Sequence, residues 1–475
     1  MEKTNNYTRF RIPAADEQGK RLYIETYGCQ MNVNDSEVVA AIMQQAGFTI
    51  TGEMAEADVI FVNTCSVRDN AEQRVWGRLA IFRLLKQQRP GLVVGVLGCM
   101  AERLKEALLE NGTVDIVAGP DAYRALPKLV REAESGQRGI NTLLSHEETY
   151  ADISPVRMDR NGVTAFVSIM RGCNNVCAYC VVPYTRGAER SRPSRTIIRE
   201  VQTLFKNGYR EVTLLGQNVN SYCWKEAGAP DSETVTFARL LEMVALLDPS
   251  LRVRFSTSHP KDMHNDVLYT MAMYPNICNH IHLPVQSGSN RMLEKMNRGY
   301  SRERYLERIA KIREIIPECS LSTDLIAGFC GETDDDHAQT LSLMRVAGYD
   351  AAFMFQYSER PNTKAARHFA DDVPEGVKNQ RLNEIIALQN RLSLESNRRD
   401  VQKTFTVLAE GDSKRSEAFL FGRTSHNKVV VFPKAGHKAG DYVSVRITEC
   451  SSATLIGVED AKTVYPPSRG KPVLF

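Results

Sequence analysis

The stretch "VTAFVSIMRGCNNVCAYC" (163–180) is a β-rich run that ends in a glycine and then three cysteines spaced C-x3-C-x2-C. It predicts a strand whose carboxyl end opens into a loop carrying Cys173, Cys177 and Cys180. Structural zinc takes four protein ligands, and no fourth Cys or His lies close in the chain. A cubane [4Fe–4S] cluster also usually takes four cysteines. Three thiolates leave one iron open to another ligand, so the loop points to a cluster with an exchangeable position.

Downstream, the strand–helix rhythm continues through "EVTLLGQN", "RVRFSTSHP", "HIHLPVQSG", "SLSTDLIAGF" and "AAFMFQYS", with helical segments such as 301–316 between them. Six such strands in about 200 residues fit a partial or full α/β barrel, and a second open sheet fits the same pattern. Upstream, "RLYIETYGC", "ADVIFVNTC", "GLVVGVLGC" and "VDIVAG" alternate with helical stretches, as in βαβ units of a doubly wound parallel sheet. Cys29, Cys65 and Cys99 each follow directly on one of these strands, after Gly28, Thr64 and Gly98. Ligands of open parallel sheets bind at the strands' carboxyl ends, so these three cysteines are expected to meet in space. Taken singly, each is equally a small core hydrophobe.

The polar stretch 135–159 reads as a linker, and 375–399 as a long amphipathic helix. Residues 403–465 hold short strands divided by Gly, Asn and Asp turns, as in a small antiparallel β-barrel. The expected organisation is an N-terminal domain over 1–140, a linker over 141–160, a central domain over 161–402 and the small barrel over 403–470. The small barrel carries no candidate cluster ligand, so its removal is expected to leave the metal sites intact.

Composition narrows the class. No apolar run approaches a membrane span, and "MEKTNNYTRF" lacks the apolar core of a secretion signal, which predicts a cytoplasmic protein. Sixty Lys and Arg against 57 Asp and Glu announce no nucleic-acid partner through bulk charge. Eleven cysteines in such a chain argue for metal or catalytic thiols rather than disulfides. Cys223, Cys278, Cys319, Cys330 and Cys450 share no spacing and read as structural. Neither a P-loop nor a strand-linked G-x-G-x-x-G occurs, so nucleotide hydrolysis and nicotinamide chemistry have no support.

The C-x3-C-x2-C loop, with Tyr179 before its last cysteine, resembles the radical-SAM superfamily. With three dispersed upstream cysteines and the small β-barrel (a TRAM domain), nearly the whole chain resembles the methylthiotransferase family. "NTCSVRDNAEQRVWGRL" (63–79) and "RGCNNVCAYCVVPYTRGAERSRP" (171–193) are similar to members acting on carbon 2 of isopentenyl-adenosine beside the tRNA anticodon. Relatives acting on threonylcarbamoyl-adenosine or on a ribosomal protein share the architecture. The resemblance implies two [4Fe–4S] clusters, one on Cys173, Cys177 and Cys180 and an auxiliary one on Cys29, Cys65 and Cys99. It further implies two S-adenosylmethionine (SAM) molecules, an anticodon-loop substrate, an electron donor and a sulfur source. Gln217, Asn218 and Asp324, in "LLGQNVNSY" (214–222) and "TDLIAGFCGET" (323–333), are implied SAM contacts; an ordinary buried strand and turn is the plainer reading of the latter. His280 and His282 read as pocket or core residues rather than metal ligands. The run "TRGAERSRPSRTIIR" (185–199), with Arg186, Arg190, Arg192, Arg195 and Arg199, reads as a phosphate-contacting patch or as a solvated face.

Overall fold

The strands β3 (Val59–Thr64) and β4 (Val93–Gly98) are buried at every residue. That is the behaviour of apolar runs covered on both sheet faces. In this computed structural model, which describes residues 19–65, 69–158 and 161–460, they are the middle of a six-stranded parallel sheet. Its other strands are β1 (Arg21–Tyr27), β2 (Thr49–Ile50), β5 (Ile116–Ala118) and β6 (Gly139–Asn141), in the order β2-β1-β3-β4-β5-β6. Two separate apolar clusters cover its faces. One contains Val38, Val39 and Met43 of α1 (Gln30–Gln45) and Leu126, Leu129 and Val130 of α5 (Leu126–Glu134). The other contains Val75, Leu79 and Phe82 of α2 (Asp69–Gln88), Met100 and Ala101 of α3 (Cys99–Leu104) and Leu108 of α4 (Glu106–Glu110). The sheet is therefore doubly wound, with its order reversing between β1 and β3. The edge strands β2 and β6, of 2 and 3 residues, escape a reading of apolar runs.

By internal packing the chain divides into two units. The first holds the described residues up to 158 with 170–176 and 180–197; the second holds 161–169, 177–179 and 198–460. The expected linker is not a spacer. Tyr150, Ile153 and Met158 are buried in the first unit's core, and Tyr150 Oη donates to Pro120 O at 3.0 Å. Its polar composition misleads because Arg157 pairs with buried Glu37 at 2.7 Å. Residues 159–160 and 66–68 of the quoted stretches, and 461–470 of the expected small barrel, lie outside the described residues.

In the second unit β7 (Thr164–Ser168), β10 (Glu211–Leu215) and β13 (Arg252–Ser256) form one parallel sheet, and β14 (His280–His282), β15 (Ser320–Ala327) and β16 (Ala351–Gln356) another. A parallel bridge from Val253 to Ile277 joins them into an open six-stranded partial barrel. The two-residue pair β8 (Met170–Arg171) with β9 (Arg190–Ser191) lies between β7 and β10 in sequence, and β11 (Cys223–Trp224) with β12 (Val235–Thr236) between β10 and β13. The expected long helix runs from Glu375 to Arg398.

Five strands, β17 (Thr404–Ser413), β18 (Ser416–Arg423), β19 (Val429–Pro433), β20 (Tyr442–Cys450) and β21 (Leu455–Glu459), close the small barrel in the order β17-β18-β19-β21-β20. All pairs are antiparallel except β19 with β21. This barrel is not a removable appendage. Arg252 donates to Arg423 O at 2.7 Å, Arg254 donates to Thr424 O at 2.6 Å, and Tyr442 Oη donates to Ser250 O at 2.8 Å.

Candidate metal centre

Parallel register sets Tyr27 opposite Thr64 and Thr64 opposite Gly98, so β1, β3 and β4 end level. Cys29, Cys65 and Cys99 are the residues just beyond those ends, at the point where the sheet order reverses. Two glycines permit the approach. Gly28 has φ +116°, and a Cβ there would stand 2.4 Å from Cys65 Cβ. Gly98 has φ +86°, and a Cβ there would meet Asn63 Oδ1 at 2.4 Å and Thr64 O at 2.8 Å. The Cys65 side chain hydrogen-bonds Cys29, and this bond, with the Arg186 cation and against burial, lowers the Cys29 pKa to about 6. Burial pushes the Cys99 thiol upward, opposed by Arg186, whose Nε donates to Cys99 Sγ at 3.2 Å.

Arg186 ends α6 (Val182–Arg186), the short helix that follows Cys180, and belongs to the first unit. Its Nη2 pairs with Asp35 Oδ2 at 2.8 Å, and Arg171 Nη1 holds Asp35 Oδ1 at 2.7 Å. Arg190 pairs with Asp121 at 3.0 Å. Asp35 and Asp121 have no exposed side-chain area, and the three arginines are at most 5% exposed. Asp35 stays below the ordinary carboxylate range although burial opposes it, because Arg171 and Arg186 hold it ionised. Among the described residues no three His, Cys, Asp or Glu groups converge as ligands of one metal ion. A cubane does not require that, since each of its cysteines takes a different iron. The level strand ends, the contacting thiols and the adjacent cation fit such a group.

Cys173, Cys177 and Cys180 lie on the loop between β8 and α6. In the first unit Cys173 N–H donates to Gly187 O at 3.2 Å. In the second, Arg298 Nη1 donates to Cys177 Sγ at 3.1 Å and to Tyr179 Oη at 3.3 Å, while its Nη2 donates to Pro284 O at 2.7 Å. Ala178 is fixed on both sides: its N–H donates to Met296 O at 2.8 Å and its carbonyl accepts from Ala365 N–H at 2.7 Å. An anchored backbone and a buried cation beside the thiol suit a thiolate ligand.

Gln217 and Asn218 follow β10 at its carboxyl end, and Asp324 lies within β15. Gln217 Oε1 is buried with no hydrogen-bond partner. Asn218 is committed locally, donating to Asp262 at 2.7 Å and accepting from His259 N–H at 3.2 Å. Asp324 faces His282 Nε2 at 3.4 Å, and His282 Nδ1 and His280 Nε2 each lie 2.9 Å from Ser322 Oγ. Cys278, Cys319 and Cys330 are buried as structural thiols, Cys450 is partly buried, and Cys223 is exposed and so is no core residue.

The arginine run divides. Arg186, Arg190 and Arg192 are buried, the last donating to Thr196 Oγ1 at 3.0 Å, while Arg195 and Arg199 are exposed on α7 (Ser194–Lys206). Read as one surface patch, the run misses that its first members answer buried aspartates.

Three family models match in succession: the uncharacterized protein family UPF0004 over 21–119, the radical SAM superfamily over 167–344 and the TRAM domain over 398–458. A tRNA-2-methylthio-N(6)-dimethylallyladenosine synthase of Bacteroides thetaiotaomicron is 58% identical over 450 residues, covering 95% of this chain and 98% of that one. Its counterpart in Phocaeicola vulgatus is 60% identical, covering 94% and 97%. The chain belongs to the tRNA-2-methylthio-N(6)-dimethylallyladenosine synthase family. Among solved structures, a radical SAM methyltransferase, TsrM, from Kitasatospora setae superposes with TM-score 0.55 at 13% identity, covering 74% of this chain and 77% of that one, a likeness of fold. Within the family frame, the first matched segment contains Cys29, Cys65 and Cys99, and the second contains the three-cysteine loop with Gln217, Asn218 and Asp324. The third covers most of the five-stranded barrel. Sequence reasoning missed Asp35, Arg171 and Arg298 and misplaced Arg186; spacing alone carries no signal for a buried ion pair 151 residues apart.

Proposed function

We propose that this chain adds a methylthio group to carbon 2 of a dimethylallylated (isopentenylated) adenosine in the anticodon loop of tRNA. The observation that carries the reading is the meeting of Cys29, Cys65 and Cys99 at the switch point of the first sheet, in a chain that also bears the C-x3-C-x2-C loop. Each set supplies three thiolates to a [4Fe–4S] cluster. When bound, the clusters and SAM supply the one-electron chemistry needed to functionalise an unactivated C–H bond, together with the sulfur and the methyl group.

The chain's own residues do the holding. Arg298 donates to Cys177 and to a carbonyl, which fixes the orientation of the sulfur. Gln217 keeps a buried carbonyl acceptor available for the SAM amino group, and Asp324 keeps a partly exposed carboxylate. Asn218 acts through the turn it holds rather than by contact. In domain terms, 1–140 carries the auxiliary cluster, 161–402 the SAM-cleaving one and 403–470 the RNA-binding barrel. Arg195 and Arg199 are the members of the arginine run that face solvent and suit phosphates. The enzyme works in the cytoplasm, with a reductant and a sulfur source.

Anaerobically reconstituted variants test the division of labour. Cys→Ala at Cys173, Cys177 or Cys180 is expected to abolish 5′-deoxyadenosine formation. Cys→Ala at Cys29, Cys65 or Cys99 is expected to spare it, to stop methylthio transfer and to leave about four irons, one cubane's worth. Deoxyadenosine from the first group, or methylthio product from a folded triple variant of the second, overturns the assignment.

A further inference from the structure

The guanidinium of Arg186 is incompletely used. Its Nε donates to Cys99 Sγ at 3.2 Å and its Nη2 to Asp35 at 2.8 Å, yet Nη1 is buried with no hydrogen-bond partner while the side chain is 3% exposed. An unanswered buried N–H costs about 1–3 kcal/mol, more when the group is charged, so such a donor persists where a ligand answers it. The surrounding charge agrees. Arg171, Arg186 and Arg190 supply three cations against the two carboxylates Asp35 and Asp121, so Arg186 is shared between Asp35 and the cysteine side chains. Arg186 cannot turn away to solvent, because Asp35 is itself clamped by Arg171, whose Nη2 is tied to Pro120 O at 2.9 Å. The guanidinium is thus pre-oriented, with one thiol already on its edge and one donor to spare. The spare donor is available to a further anion beside Cys99.

We propose that Arg186 is the sulfur-binding residue of the Cys29/Cys65/Cys99 site, with its Nη1–H donating to an anionic sulfur ligand, hydrosulfide or a short polysulfide, held beyond the three thiolates. This rests on the reading that those cysteines carry a cluster. The residue's place is informative, since α6 follows Cys180 directly in the chain. The segment bearing the SAM-cleaving cysteines therefore also supplies the cation of the sulfur site.

The test uses the full chain with Cys173, Cys177 and Cys180 replaced by Ala, so that only the first site can hold iron. Inorganic sulfide is titrated into this parent and into Arg186→Met and Arg186→Lys versions, with iron content and the electron paramagnetic resonance spectrum of the reduced cluster as readouts. A parent with about four irons and a sulfide-dependent spectrum upholds the cluster reading. Arg186→Met is then expected to keep its iron and raise the apparent sulfide Kd about 10-fold or more, the worth of a charge-assisted hydrogen bond. Arg186→Lys, which keeps the charge, is expected to recover part of that loss. An unchanged titration in Arg186→Met overturns the proposal while the cluster reading stands. Loss of iron from both Arg186 variants also overturns it, making the residue a scaffold for the thiols. A parent without iron defeats the cluster reading itself, and the proposal with it.

Discussion

Gly28 has to be glycine for two separable reasons, and substitution distinguishes them. Its φ of +116° strains any L side chain, and its missing Cβ leaves room for Cys65. Gly28→Ala is expected to lower stability by about 1–3 kcal/mol from backbone strain, with close contact adding to it, and to reduce the iron bound by the first cysteine set. Gly47→Ala is the control, because Gly47 has φ +89° with nothing within 4 Å of a would-be Cβ. It is expected to cost stability without costing iron; urea denaturation and iron assay of both check this. The placing of Cys29, Cys65 and Cys99 at neighbouring strand ends was legible because each follows a strand signal. Arg186 and Asp35 were not, because a charged residue's burial depends on a partner that only the tertiary fold supplies.

At the scale of elements, βα alternation revealed the parallel sheets and the strand–turn rhythm revealed the small barrel, but not how that barrel is anchored. Arg254 pairs with Glu211 at 2.9 Å, both nearly buried, while serving the carbonyls of Thr424 and Ser425. Arg254→Met leaves buried Glu211 with Arg252 alone, at 3.9 Å, and is expected to cost about 3 kcal/mol, the low end for breaking a buried pair, measured by chemical denaturation. Deleting the barrel strips acceptors from Arg252 and Arg254 at once, so loss of tRNA binding in such a truncation is expected to come with loss of stability. The helix Asp334–Ala347 gives a pH-dependent counterpart. Asp336 closes a capping box with Thr333, and despite burial its hydrogen bonds from Arg291, Ser289 and Thr333 hold its pKa well below the usual carboxylate range. A depressed folded pKa stabilises above the unfolded value, near 3.9, and that contribution fades as pH falls through the folded value. Asp336→Asn is expected to cost about 1–2 kcal/mol at pH 6. The gap to wild type should narrow toward pH 3; a gap that widens contradicts the assignment.

For the whole molecule, domain order followed from where the strand pattern changes, and the polar stretch packs on the first unit instead of standing free between two. Residues 142–158 pack on the first unit through Tyr150 and Ile153, and the cysteine loop contributes Cys173 and Cys180 to one unit and Cys177 to the other. Polarity marks a linker only where its charges stay in water, and here Glu37 and Arg157 satisfy each other inside. No helix among the described residues is long and apolar enough to cross a membrane. The central claim is that this chain puts a methylthio group on one modified base. It is tested most directly by anaerobic incubation of the reconstituted protein with SAM, a reductant and tRNA bearing isopentenyl-adenosine, followed by nucleoside mass spectrometry. The account predicts 2-methylthio-isopentenyl-adenosine, and none when the base is threonylcarbamoyl-adenosine. Methylthio product on threonylcarbamoyl-adenosine alone, or no methylthio nucleoside from a protein holding both clusters and cleaving SAM, would contradict it.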